Sequence, residues 1–198
     1  EQGYPSDFFT VDLSDVENIR TGIEKVREKY GRIDVLVNNA GILHTTDIEE
    51  VTEEEWDKVI NCNLKGTFFA SQKVLSYMKH QKKGRIINIS SLAGRMGGIG
   101  TGMAYTASKA GVIGLTRGMA TKCAPFGITV NAVAPGTTRT PMAEKFSPQK
   151  MEELLGRIPL GHLIEPEDIA KAVGFLASDA AGSITGVILD VNGGMYLG

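Results

Sequence analysis

Apolar residues recur along this chain in two alternating rhythms. Short, nearly continuous apolar runs bounded by Gly, Asp, Asn or Pro read as strands buried on both faces. The longer stretches between them carry apolar residues every three or four positions, as helices with one buried face do. Phe8-Phe9-Thr10-Val11-Asp12 predicts a short buried strand ending at an acid. A helix follows from about Asp15 to Tyr30, with Ser14 as its candidate cap and Gly31 as a residue suited to close it. Ile33 to Asn38 predicts a second strand. Thr52 caps a long helix from about Glu53 to His80, and Arg85 to Ser90 is a third strand. A helix carrying Tyr105 runs to about Ala124 and leads into a strand at Thr129–Val133. Met142 to Leu155 reads as a polar helical flap. Pro166 starts a helix over Glu167–Ser178, and Gly186–Val191 is the last strand.

Strands separated by helices of this length require right-handed crossovers, and therefore a parallel sheet covered on both faces. The predicted fold is a single α/β domain over residues 1–198, a doubly wound, Rossmann-like parallel sheet, with no linker and no change of composition along it. In such folds ligands sit at the carboxyl ends of the strands. The unusual polar residues and glycines fall there: Asp12, Asn38-Asn39-Ala40-Gly41, Ser90-Ser91 and Pro135-Gly136. Turn chemistry explains any one of them. Four at successive strand ends point to a site.

Composition narrows the function classes. A chain of 198 residues, 42% hydrophobic, suits one domain with a sizeable core. The formal net charge of −2, without a long Lys/Arg run, argues against nucleic acid as a partner. Apolar runs fall well short of a membrane span, and neither a membrane helix nor a secretory signal peptide is expected. Cys62 and Cys123 stand alone and read as small buried residues in a reducing, cytoplasmic compartment. His44, His80 and His162 have no metal-ligand spacing, so no catalytic metal is expected.

The candidate chemistry lies in Tyr105 and Lys109. Four residues apart on a helix, they are offset by only about 40° and share a face. Such pairs are common on exposed helices. Beside a buried reaction centre, however, an ammonium lowers a phenol's pKa by about 1–3 units from its usual value near 10. The phenol can then exchange a proton with a carbonyl or alcohol oxygen. Ser91, at the end of an apolar strand, is placed to donate a hydrogen bond to the same oxygen.

The chain resembles the short-chain dehydrogenase/reductase family along essentially its whole length. The resemblance rests on Asn38-Asn39-Ala40-Gly41, Asn61-Cys62-Asn63-Leu64, Ser91, Tyr105-x-x-x-Lys109, and Pro135-Gly136 with Thr140. Among its branches, the sequence is most similar to the 3-oxoacyl-(acyl-carrier-protein) reductases. That likeness rests on the Gly84–Ile89 strand, the spacing after Pro135 and the Val191-Asn192-Gly193-Gly194-Met195-Tyr196 tail. The resemblance implies an NADP- or NAD-dependent oxidoreductase. Tyr105 would exchange the proton, Lys109 would tune it and hold the nicotinamide ribose, and Ser91 would polarise the substrate oxygen. Asn63, at a helix irregularity, would anchor a water beside Lys109. Asp12 would meet the adenine; Asn38, Ala40 and Gly41 would line the adenosine ribose and cofactor backbone; Pro135, Gly136, Thr138 and Thr140 would border the carboxamide.

The resemblance also implies a homotetramer of dihedral symmetry, formed partly through apolar residues such as Phe68, Phe69, Leu75, Leu115 and Met119. The substrate would be carried by acyl carrier protein or be a free small ketone, polyol or sugar. A third possibility is a catalytically silent scaffold. Lys79, Lys82, Lys83 and Arg85 form a basic cluster that would suit the mouth of a carrier-protein site, or simply a solvated face. Phe126 stands where some carrier-dependent relatives have a basic residue. The family's opening strand, its T-G-x-x-x-G-x-G turn and the strand that distinguishes NAD from NADP have no counterpart here. The natural protein is therefore expected to carry a preceding segment of roughly 45–50 residues. Without it, the sheet is expected to have a gap between the Asp12 strand and the Asn38 strand.

Overall fold

The computed structural model describes residues 6–98, 100–140 and 148–198, apart from the side chains of residues 148 and 150. Four parallel strands form its sheet in the order β1 (Val35–Asn38), β2 (Gly84–Ile89), β3 (Ile128–Pro135) and β4 (Ile188–Val191). The alternation of side chains along a strand divides the core between the two faces. Ile86, Ile128 and Val130 pack with Val74 and Met78 of α3 (Thr67–Gln81) and Met119 and Cys123 of α5 (Met103–Cys123). Ile87 and Val133 point the other way, toward Leu176 of α7 (Pro166–Ala177). Both sheet faces are thus covered, as the apolar runs of β2 and β3 require.

Helix α1 (Val16–Tyr30) ends at Gly31, whose φ of 76° is left-handed and whose N–H reaches Arg27 O. Its cap is Asp15 rather than Ser14: the Asp15 carboxylate accepts from the backbone of Glu17 and Asn18. Ser14 instead donates to Asp12 Oδ1 from both N and Oγ. Thr52 caps α2 (Glu53–Ile60) as expected, through a bond from Glu55 N at 3.2 Å. The predicted long helix is not continuous α-helix. A π-helical segment, Asn61–Gly66, separates α2 from α3. Of the predicted 142–155 flap, residues 142–147 lie outside the described residues; α6 (Pro148–Gly156) occupies the rest.

The expected strand at Phe8–Asp12 does not form. This stretch is irregular, and Phe8 is 93% exposed. An apolar run becomes a buried strand only with a neighbour to complete its ladder. The described sheet stops at β1, leaving Val35 and Val37 exposed along that margin. Val11 instead packs on α1, so closely that a Cβ at Gly22 would lie 2.4 Å from its Cγ2.

Candidate active site

The site begins where β2 ends. Ser90 N donates to Val133 O at 2.8 Å, and Ser90 Oγ donates to Lys109 O at 2.8 Å. Leu92 N reaches Pro135 O at 2.8 Å, fixing the following turn to β3. Ser91 Oγ accepts from Ala93 N at 3.1 Å, at the start of the short helix α4 (Ala93–Met96). Gly94 brings α4 against α5: a Cβ there would lie 2.7 Å from the carbonyl of Lys109. A larger residue would push the Ser91 turn away from the Tyr105–Lys109 helix.

On α5, Tyr105 is half-buried and lines the same cavity as Ser91, whose hydroxyl interacts with the phenol. Lys109 is only 4% exposed and donates to Ile89 O at 2.8 Å. Its Nζ lies 5.7 Å from the Tyr105 ring centroid. Burial without a carboxylate partner lowers the lysine to about 8, with the neighbouring Cys62 thiol opposing the shift. The phenol departs from expectation. Burial raises its pKa above the ordinary value, and the Ser91 hydrogen bond opposes that only in part. Desolvation outweighs the effect of Ser91, so Tyr105 holds its proton.

Asn63 is almost fully buried in the π-helical segment and faces the same machinery. Its Oδ1 accepts from Ile42 N at 2.8 Å, and its Nδ2 donates to Ile42 O at 2.9 Å and Ser108 Oγ at 3.1 Å. Ser108 Oγ in turn donates to Tyr105 O at 2.7 Å. Asn63 therefore joins the loop after β1 to the helix turn that carries the phenol. Ser108 was invisible as a site residue, although its place three residues after Tyr105 puts it on the inward face of α5.

A cavity of about 540 Å³ opens over these groups. Ser91, Tyr105, Lys109, Gly41, Pro135, Gly136, Thr138 and Thr140 all line it. Asn63 stands behind the wall. Asp12, Asn38 and Ala40 are not part of the lining, whereas Asn39 is. Asn38 spends its amide elsewhere, donating to Ser71 Oγ at 2.9 Å and Asn88 Oδ1 at 2.8 Å within a buried polar network. Asp12 is exposed, and its two bonds from Ser14 hold its carboxyl below the usual range. The rest of the wall mixes apolar side chains, Leu92 and Met96 after β2, Leu154 on α6, Ile169 on α7 and Met195 in the tail, with polar ones, among them Thr101, Thr137 and the Glu153–Arg157 ion pair of α6.

The basic cluster does not border this cavity among the described residues. Lys82, Lys83 and Arg85 lie around the start of β2, whereas the cavity lies beyond its end, roughly 15–20 Å along the strand. Lys79 sits over the Phe126 ring, 4.4 Å from its centroid. Of the five apolar residues expected at a subunit interface, Met119 is buried, Leu75 and Leu115 pack on the core, Phe69 is half-buried edge-to-face against Phe68 with ring centroids 5.1 Å apart, and Phe68 is the exposed one.

A nicotinamide nucleotide fits the polar side of the cavity. Bare backbone crosses Asn63 and Lys109 at Gly41, where a Cβ would come within 3.3 Å of both Asn63 Oδ1 and Lys109 Nζ. Gly136 passes Asn192 equally closely, with 2.8 Å between a built Cβ and Asn192 Cα. Lys109 could donate to ribose hydroxyls there, and Thr138 and Thr140, also in the lining, could meet a carboxamide. No group of three or more His, Cys, Asp or Glu residues able to hold a metal occurs among the described residues.

Residues 1–196 match the family model described as enoyl-(acyl carrier protein) reductase. Among curated proteins, the chain is 46% identical over 198 residues to the 3-oxoacyl-(acyl-carrier-protein) reductase FabG of Thermotoga maritima, covering 99% of this chain and 80% of that protein. It is 44% identical over 196 residues to the protein of that name from Staphylococcus aureus, covering 99% and 79%. The corresponding Haemophilus influenzae protein is 44% identical over 187 residues, covering 94% and 77%.

Proposed function

The chain belongs to the short-chain dehydrogenase/reductase family, and from that premise we propose that it reduces the keto group of 3-oxoacyl thioesters on acyl carrier protein. The observation that carries this reading is the pair of hydroxyl groups, Ser91 and Tyr105, lining one cavity with buried Lys109 beside them and apolar side chains such as Leu92, Met96 and Ile169 in the same wall. Two hydroxyl groups converging on one point suit a substrate oxygen. A 3-oxo group places an oxygen on the carbon that receives hydride; an enoyl thioester has none there. The carbonyl reaction therefore uses the pair, although the family model carries an enoyl reductase description.

Lys109, Thr138 and Thr140 would hold a reduced nicotinamide cofactor, NADPH or NADH, which would supply the hydride for the carbonyl carbon. Ser91 donates to the carbonyl oxygen and holds it against Tyr105. Tyr105, kept protonated by burial, transfers its proton to that oxygen as the carbonyl becomes an alcohol. Lys109, close behind the ring, stabilises the phenolate left by this transfer. Asn63 fixes the loop at Ile42 and the α5 turn through its side chain, and would hold beside Lys109 the water through which the proton is replaced. A phenol loaded with its proton favours reduction over alcohol oxidation. Leu92, Met96, Leu154, Ile169 and Met195 provide the surface for an acyl chain.

The same reading includes a cytoplasmic homotetramer, for which exposed Phe68 on α3 is the local support. Among the described residues, no helix is long and apolar enough to cross a membrane. A free small ketone is the second reading, favoured by the distance of the basic cluster from the cavity. Cofactor absorbance with acetoacetyl-carrier protein, acetoacetyl-pantetheine and free ketones tests both. Faster turnover of the carrier-bound thioester is expected. Equal rates with a free ketone would favour the second reading, and no turnover of any substrate would leave the scaffold role.

A further inference from the structure

A second cavity, of about 280 Å³, lies at the opposite end of the sheet. It is lined by Arg32, Asp34 and Val35 beside β1, Lys83 and Arg85 at the start of β2, and the Ala177–Asp179 stretch closing α7. Arg85 is the unusual member. Its side chain is 8% exposed, yet among the described residues its guanidinium has only two polar side-chain partners, both distant. Thr129 Oγ1 lies at 3.4 Å and Asp179 Oδ1 at 3.5 Å, while Nε has no partner. A buried charge is costly unless closely paired, and arginine cannot relieve that cost by losing its proton.

The acids nearby are already committed. Asp34 takes two bonds from Arg32 Nε and one of 2.5 Å from Arg32 Nη2. Asp179, whose side chain is 84% exposed, holds Lys83 at 3.0 Å. Three cations thus face two carboxylates, and the surplus charge belongs to the buried arginine. The end of α7, where a helix is unfavourable to anions, is partly neutralised: Ser178 donates to Phe175 O from N at 3.1 Å and from Oγ at 2.7 Å.

We infer that this cavity is a binding site for a small oxyanion of the phosphate class, held by Arg85 with Lys83 and Arg32 around it. The volume suits a free ion or one phosphoryl group, and planar guanidinium donors match its oxygens. An occupant would tie the start of β2 to the end of α7, far from the Tyr105 cavity. This assignment does not depend on the reductase reading.

The test is thermal unfolding of the whole chain in inorganic phosphate against chloride at constant ionic strength. At about ten times the dissociation constant, phosphate should raise the midpoint by roughly 3–6 °C. The rise should persist in Lys109→Met and vanish in Arg85→Met. If Arg85→Met does not fold, Arg32→Gln/Lys83→Gln decides, with an expected loss of affinity of at least about tenfold. Glycerol phosphate binding as well as phosphate would identify a phosphorylated ligand; binding of phosphate alone would identify the free ion. No phosphate-specific rise, a rise unchanged by these Arg85-cavity variants, or loss of the rise in Lys109→Met would overturn the inference. So would self-association reversed by phosphate, which would assign the cavity to a carboxylate from a second copy.

Discussion

Lys109 and Arg85 are both buried cations, placed near opposite ends of β2. Lys109 bonds to the strand's last carbonyl and has a pKa lowered to about 8. Arg85 has a carboxylate no nearer than 3.5 Å and retains its charge throughout. Burial therefore has two different outcomes. For lysine it tunes a proton equilibrium beside a phenol; for arginine it leaves a fixed demand for an anion. Chemical work belongs to the first end, and binding to the second.

The largest expected effect is at the Lys109 end. Tyr105→Phe should lower kcat by roughly 1,000-fold, because the remaining hydroxyl, Ser91, is too weak an acid to give up its proton in place of the phenol. A rate near wild type, with unchanged circular dichroism, would dissolve the contrast. Ser91→Ala should cost about 100-fold in kcat, read from cofactor oxidation under saturating substrate. Tyr105 would then lose the hydrogen bond that restrains its pKa, so the kcat profile should extend to higher pH.

Stability measurements separate the two cations directly. Between pH 8 and the ordinary lysine value of 10.5, the unfolded chain binds more protons than the folded one at Lys109, so the wild type gains stability as pH rises. Lys109→Met should exceed the wild type by about 2 kcal/mol near pH 7, after the loss of the Ile89 carbonyl bond is counted. That advantage should shrink through pH 8–10.5, as urea melts at several pH values would show. Arg85→Met should be smaller in effect, about 1 kcal/mol more stable without phosphate, and flat over the same range. A pH-dependent difference for Arg85→Met would break the comparison.

Much of this organisation was legible from residues. The apolar runs of β2 and β3, Gly31 at the end of α1, Thr52 before α2 and the Tyr105–Lys109 spacing each carry a local cause that survives in three dimensions. The failures share another cause. Phe8–Val11 has the pattern of a strand, but pattern cannot supply the neighbouring ladder. Ser14 and Asp15 are adjacent caps of nearly equal quality, and only geometry chooses between them. Lys79 to Arg85 looked like a rim for the cavity until strand direction placed most of it at the far end. Met96, Leu154, Ile169 and Met195 are ordinary core residues in sequence; the convergence of four separate segments makes them a wall. The direction of the Tyr105 shift required knowing how dry the phenol is.

The bare margin of β1 has a practical consequence at high concentration. Val35 and Val37 present exposed apolar side chains on a strand with an unfilled hydrogen-bonding side among the described residues. Such a margin can template the addition of another extended segment, including one from a neighbouring molecule. Its four-residue length and the adjacent Arg32–Asp34 ion pair limit how far that templating extends. A charge introduced at Val37 would discourage such pairing between copies of this 198-residue chain, at a place on the surface separate from either cavity.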